Sequence, residues 1–425
     1  MGKSVRKGPE SQGVDARQMQ RMLPAAALFK ELRELVFQEG MRALETVLEA
    51  ERTTSCGARY GRQEGRQATR TGHAPGELVL GGRRVSVKRP RARTRGNEEV
   101  VLPSWKQFSA EDPLTERALE QMRIGVSTRK YARSLEPVVE GIDTRGTSKS
   151  AVSRRFVAAT QEQLDTWMAT DLGGLELVAV MIGGVCFREH VVLCALGIDA
   201  SGKKHVLGLQ EGATENAVAC TELLSDLRGR GLRTDRALLV VIDGGKALAK
   251  AVRDVFGPLA LVQRCQVHKT RNVTEQLPET KRGGVRKAMY DAYRSRSADT
   301  ARRLLNNLER TLRKNHPGAA ASLREGLDET LTVLAFGLGA TLERSLSTTN
   351  AIENLNGNIR RISRRVKTWR GGTMILRWVG AAVNEASKGF RRFRGFKDMK
   401  KLVAVLHAHT LKLRKVVDEL ARDAA

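Results

Sequence analysis

The residues Val240-Val241-Ile242-Asp243-Gly244-Gly245-Lys246 end an apolar run in one carboxylate. Downstream, Val262-Gln263-Arg264-Cys265-Gln266-Val267-His268 gathers an arginine, a thiol and an imidazole within a few positions. Much later, Thr349-Asn350-Ala351-Ile352-Glu353 sets a second carboxylate at the start of a helical stretch. Acids held on rigid elements suit metal-assisted cleavage of a phosphodiester. That chemistry uses carboxylates to hold two Mg²⁺ roughly 3.5–4 Å apart, one metal at the attacking oxygen and one at the leaving oxygen. Both acids have a plainer reading. Asp243 can cap the helix that follows it, and Asn350 with Glu353 forms a capping-box-like pattern. Gly244-Gly245-Lys246 lacks the spacing of a phosphate-binding P-loop. Cys265 and His268 have no second Cys/His pair nearby to complete a structural zinc site. A packed Cys and an oriented His beside the acids fit better, with Arg264, Lys269 and Arg271 as further supports on the phosphate side.

The partner is anionic by charge. Lys and Arg number 74 against 47 Asp and Glu, a formal net charge of +27 over 425 residues. Such a balance favours nucleic acid. The basic residues recur along the chain, which fits a long duplex footprint better than one tail. Aromatics are only 4% of the residues, which argues against stacking on single strands. No apolar run reaches the ~18 residues of a membrane span. The five cysteines show no paired CxxC spacing, which points to a reducing compartment. The first residues are too polar for a secretory signal.

The elements that must position these groups follow from periodicity. Residues 1–24 read as a disordered tail. Residues 25–53 carry Leu28, Leu32, Leu35, Val36, Leu44, Val47 and Leu48 at helical spacing, for core packing or a dimer contact. Residues 54–111 hold a hairpin signal over Glu77–Val87, turning at Gly81-Gly82. The basic stretch with Arg89, Arg91 and Arg93 follows; Pro90 argues against a central strand there. Residues 112–172 read as helical. Ser127–Leu135, with Arg129 and Lys130, and Ser148–Phe156, with Lys149, Ser150, Ser153, Arg154 and Arg155, form a loose helix-turn-helix whose second helix Ser148 would cap. Small polar and basic residues there suit major-groove entry.

From 173 to 276 the pattern is α/β. Strands are expected at Leu177–Phe187, Val191–Ile198, Lys204–Leu209, Leu238–Ile242 and Leu259–Val262. Helices follow Thr214 and span Ala247–Phe256. Three antiparallel strands, helix, strand, helix, strand resembles the order of a ribonuclease H-like domain. That fold carries acids in the middle of its first strand, after its fourth, and on a later helix. Residues 277–345 read as an all-helical insertion, with segments at Ala301–Leu312 and Ala319–Leu331. Residues 346–390 would complete the core around the Glu353 helix, and basic helices fill 391–425. Arg360 and Arg361 continue the basic surface.

The block Val262-Gln263-Arg264-Cys265-Gln266-Val267-His268-Lys269-Thr270-Arg271-Asn272-Val273 resembles the signature of the mutator-type bacterial insertion-sequence transposases. So do Ile242-Asp243-Gly244, Thr349-Asn350-Ala351-Ile352-Glu353, Gly212-Ala213-Thr214-Glu215-Asn216 and Trp369-Arg370. The similarity extends over about residues 54–410. It implies a DDE transposase with a helical insertion between its second Asp and its Glu, using two Mg²⁺ or Mn²⁺ ions. It implies double-stranded DNA partners, both terminal inverted repeats and target DNA. Nicking is followed by strand transfer in a homodimer that holds two ends, and DNA contacts extend to Trp369. The implied location is the bacterial cytoplasm, at the nucleoid, with no membrane partner.

One position departs from the pattern. The first Asp belongs in a segment reading roughly Ile-Asp-Gly-Val, and here Met181-Ile182-Gly183-Gly184-Val185 stands. Glu176 and Glu189 lie seven and six residues away, about 20 Å along a strand. Asp199 ends the neighbouring strand. The expectation is a chain that folds and binds DNA but does not cut it. The rival readings are a transposase-derived repressor without catalysis and a structure-selective nuclease.

Overall fold

Long apolar runs buried on both faces make the central strands, because only a sheet covered on two sides can use them. In the computed structural model, residues 25–61, 66–80, 83–110, 120–123, 126, 130–131, 144–145, 149–212, 217–364 and 366–423 are described. They fall into two units, residues 1–122 with 126–156, and residues 123–125 with 157–425.

The first unit holds helix α1 (Ala25–Cys56), strands β1 (Ala68–Leu80) and β2 (Arg83–Thr94), helix α2 (Pro103–Ala110) and the short strand β3 (Thr144–Arg145). The hairpin is longer than its sequence signal, with Leu80 paired to Arg83 and Ala68 to Thr94. Pro90 lies within β2, paired with His73 of β1. Among the described residues β3 pairs only with Arg84 and Val85, so β2 is not a central strand at Pro90. The expected tail at 1–24, the turn Gly81-Gly82, all of the first helix of the pair at 127–135 except Lys130 and Tyr131, and the caps Ser148 and Thr214 lie outside the described residues. The second helix of that pair forms as α3 (Lys149–Met168), longer than expected.

The second unit is built on β4 (Leu177–Phe187), β5 (His190–Asp199), β6 (Lys204–Gly212), β7 (Leu238–Ile242) and β8 (Ala260–Arg264). Their order is β6-β5-β4-β7-β8. The first three run antiparallel, while β4–β7 and β7–β8 are parallel. One face of β4 and β7, with Val180, Ile182, Val240 and Ile242, packs on α4 (Ala217–Gly229) and α5 (Lys246–Phe256). The other, with Met181, Val185 and Val241, packs on α12 (Asn350–Ser363), α13 (Gly372–Ser387) and α14 (Met399–Asp423).

Between β8 and α12 the chain is helical: α6 (Gln266–Glu275), α7 (Glu279–Tyr293), α8 (Ala298–Asn315), α9 (Pro317–Arg324), α10 (Thr332–Ala335) and α11 (Ala340–Leu346). These enclose their own core around Val273, Met289, Leu305 and Leu323. Ser297 caps α8 by accepting the Thr300 N–H. The segment expected as one helix from Ala319 to Leu331 stops at Arg324. Gly326 takes φ +60°, and a Cβ there would collide with the Arg264 guanidinium.

Candidate active site

Asp243 directly follows β7, and Cys265 directly follows β8. The Cys265 N–H donates to the Ile242 carbonyl at 2.7 Å, so the ladder carries the two residues side by side off the sheet. Met181 pairs with Val241 in the parallel register of β4 and β7. Gly183 lies two residues beyond Met181 on β4, on the face that α12 covers, and Asp243 is the first residue past the end of β7. Glu353 stands in the first turn of α12, next to Ile352. A Cβ built at Gly183 would meet Ile352 at 3.4 Å and the Asn356 amide at 3.6 Å, ordinary contacts for a Cβ.

The plainer readings of both acids fail on geometry. Gly245, not Asp243, is the N-cap of α5, and Asp243 accepts only the Gly245 N–H at 3.1 Å. The N-cap of α12 is Thr349, with no side-chain cap bond, which places Asn350 inside the helix. Glu353 accepts the Thr349 hydroxyl at 2.7 Å instead of a backbone N–H of a capping box. Thr349 also lies 3.3 Å from His268 Nδ1 and donates its backbone N–H to the Cys265 sulfur at 3.4 Å. His268 Nδ1 is 3.6 Å from Glu353 Oε1. The ligand atoms of Cys265, His268 and Glu353 lie within 4.8 Å of one another.

The electrostatics join the pieces. His268 is held above its ordinary value, first by its hydrogen bond with Cys265, against burial, then by the charges of Cys265, Glu353 and Asp243. Burial pushes the Cys265 thiol up, but hydrogen bonds from His268 and Thr349 bring it below the usual thiol value. His268 therefore holds a proton more readily than a free imidazole, and it lies beside Glu353.

Arg264 and Lys269 are placed elsewhere than expected. Arg264 is 6% exposed; it pairs with Glu329, bonds Glu325 at 3.0 Å and donates to the Gly244 carbonyl at 3.1 Å. Lys269 is 3% exposed and donates to the Ser322 and Glu325 carbonyls. Both cations are used internally, binding the helical segment to the end of the sheet, and neither faces a phosphate. Arg271 is exposed on α6 and lines an adjoining cavity. Trp369 packs edge-on against Phe187, ring centroids 5.1 Å apart. Arg360 and Arg361 are exposed on α12, and Lys130, Lys149, Ser150, Ser153 and Arg154 are exposed as well. Arg129 and the Arg155 side chain lie outside the described residues. Arg89 and Arg91 both pair with Glu99, and Arg93 bonds Asn97.

Two residues escaped the sequence reading. Thr349 was seen only as part of a motif, although its hydroxyl is what holds Glu353. Asn356, 5% exposed, donates to the Gly184 carbonyl at 3.2 Å and leaves its Oδ1 without a partner beside Gly183. Its spacing of one helical turn from Glu353 was the available signal. Other acids do not fill the gap. Asp199 pairs with Leu177, at the far end of β4 from Gly183, and is bonded to His205, Ser201 and Lys203. Glu176 is held by Arg236 and Arg233. Asp243 and Glu353 are the carboxylates that these elements bring to this end of the sheet.

Among the described residues no helix is long and apolar enough to cross a membrane. The family profile described as Transposase, Mutator family matches residues 15–393. The chain is 27% identical to the transposase for insertion sequence element IS256 in transposon Tn4001 of Staphylococcus aureus, over 79% of this chain and 86% of that one. It is 28% identical to the transposase for insertion sequence element ISRM5 of Rhizobium meliloti, over 82% and 86%. The transposase for ISRM3 of the same organism is 28% identical over 78% and 82%. With the match spanning sheet, helical segment and α12 alike, this chain belongs to the Mutator family of transposases.

Proposed function

We propose that this chain is a DDE-type transposase of an insertion sequence, with a ribonuclease H-like core, in which Gly183 has replaced the first catalytic aspartate. It binds terminal inverted repeats as a homodimer in the bacterial cytoplasm and does not cut them. The observation that carries this reading is the register of β4 on β7. It brings Gly183 and Asp243 toward the same end of the sheet, and Gly183 lies against the α12 turn that carries Glu353, where an added Cβ meets only ordinary contacts; this supports the reading. Asp243 and Glu353 are oxygen donors of the kind Mg²⁺ or Mn²⁺ prefers, and an aspartate at 183 would supply the missing donor between them.

The remaining residues have definable work. Thr349 orients Glu353 through its hydroxyl, and His268, whose proton affinity is raised beside Cys265 and Glu353, would carry a proton on the side where a scissile phosphate would lie.

The test compares this chain with Gly183→Asp on labelled duplexes from the element ends, with Mg²⁺ present. Nicking by the revertant alone, with equal DNA binding by both, is the expected result. Nicking by both at similar rates would overturn the assignment of position 183. Binding without nicking by either would favour a transposase-derived repressor, and cleavage indifferent to the repeat sequence would favour a structure-selective nuclease.

A further inference from the structure

A cavity of about 770 Å³ opens beside this site, walled by α6, α7 and the stretch from α11 to Thr348. Its size is that of a small-ligand pocket, typically about 300–1,000 Å³. Arg271, Arg282, Arg286, Arg294 and Arg344 line it, against two carboxylates, Glu275 and Glu343. Burial holds the Glu343 carboxyl above its usual range, which weakens the opposing charge. The excess cations call for an anion.

The shape calls for something flat as well. The Arg294 guanidinium sits 4.1 Å from the centre of the Tyr290 ring, and Tyr290 is 51% exposed, so a ring and a planar cation together face the opening. A second feature lies deeper. Thr348 is 8% exposed, and its hydroxyl has no hydrogen-bond partner although it borders the cavity. The oxygen itself is closed off from solvent, so it marks an unmet hydrogen bond in the cavity wall and not a group presented to the opening.

The cavity adjoins the candidate active site through the backbone. Gln266 follows Cys265 and donates its N–H to the Ser347 carbonyl at 3.0 Å. Thr348 precedes Thr349, which holds Glu353. A group in the cavity would therefore lie next to DNA engaged at Glu353.

We propose that this cavity receives one nucleotide turned out of the DNA stack, its base against Tyr290 and Arg294 and its phosphate among Arg282 and Arg286. Planar base and anionic phosphate are the two chemistries the walls offer together. Turning a base out would also fix the register of the strand that passes Glu353. The proposal rests on the reading of this chain as a DNA-binding transposase.

The test uses the full chain and duplexes from the element ends, fully paired or carrying a single extrahelical 2-aminopurine stepped along one strand. A bulge removes the cost of unstacking, so at one or two positions the bulged duplex should bind about tenfold tighter than the paired one. At those positions the 2-aminopurine emission should change on binding. Tyr290→Ala should reduce the preference to about twofold or less, Tyr290→Phe should keep it, and Arg286→Gln should weaken it. Tyr290 and Arg286 are exposed, so these variants should fold, and paired-duplex affinity should stay within about threefold for the Tyr290 variants. Equal binding of paired and bulged duplexes at every position would overturn the pocket and leave the DNA reading standing. No binding to any duplex would overturn both. If dAMP binds in a Tyr290-dependent way while no bulge position is preferred, the cavity serves a free nucleotide and the proposal fails.

Discussion

Thr349 touches three of the residues that matter: its hydroxyl reaches Glu353 at 2.7 Å and His268 at 3.3 Å, and its N–H meets the Cys265 sulfur. Thr349→Val keeps the volume and the N–H and removes only the hydroxyl. In the Gly183→Asp background it should slow nicking by about tenfold, equivalent to about 1.4 kcal/mol at the barrier. The fold should lose no more than about 1.5 kcal/mol, the net worth of a typical hydrogen bond. An unchanged nicking rate would remove Thr349 from the site. Restoring the acid fits as far as its Cβ, but it buries a carboxylate beside other acids, so Gly183→Asp should melt below the parent without divalent metal and recover when Mg²⁺ is added. A second change, Asn356→Leu, separates two effects. If the orphaned Asn356 Oδ1 is merely a buried defect, removing it offsets the loss of the Asn356–Gly184 hydrogen bond, and the variant melts within about 1 kcal/mol of the parent. If it helps hold what binds at position 183, nicking by the revertant falls while the melt stays put.

At the scale of elements, Arg264 joins the end of β8 to the turn after α9. Its side chain is 7% exposed and reaches Glu325, Glu329 and the Gly244 carbonyl. Arg264→Met should cost toward the lower end of about 3–5 kcal/mol, because it strands carboxylates that remain partly open to solvent. Urea melts give the number, and a loss under about 1 kcal/mol would show the pair to be ornamental. The pH dependence has a definite sign. Burial raises the Glu325 carboxyl, but Arg264 outweighs it and leaves the value lowered in the folded chain. That contribution is complete above the unfolded value of about 4.5 and is lost as pH falls through the lower folded value. The gap between parent and Arg264→Met should therefore be flat at neutral pH and narrow in acid. This network also marks where the sequence stopped being readable. Strands β4 and β7 were legible to the residue, because burial on both faces leaves unbroken apolar runs. Asp243 and Glu353 were legible as acids at the ends of such elements. The internal partners of Arg264 and Lys269 were not legible, because they lie more than 50 residues away, around the end of a helix whose early stop before Gly326 no periodicity announces.

Over the whole molecule, the +27 charge should appear as a steep salt dependence of duplex binding, since each neutralised phosphate releases counterions. The structure divides the cations into those with an internal partner and those without one in evidence. Arg89 and Arg91 share Glu99, and Arg264 is enclosed by Glu325 and Glu329. Lys149 and Arg154 on α3 are exposed. A cation already paired with a carboxylate must give up that partner before it can take a phosphate, so it contributes less to both affinity and salt slope. Arg154→Gln should lower the slope of log affinity against log salt by about 0.9, one phosphate's worth. Arg91→Gln should lower it by clearly less, and Glu99→Gln, which frees both Arg89 and Arg91, should steepen it. Anisotropy titrations of the full chain across a range of salt concentrations measure all three. Equal losses for Arg154→Gln and Arg91→Gln, with no change for Glu99→Gln, would mean that Glu99 is displaced whenever DNA is bound. The basic hairpin would then count among the phosphate contacts in full, as its charge alone suggested.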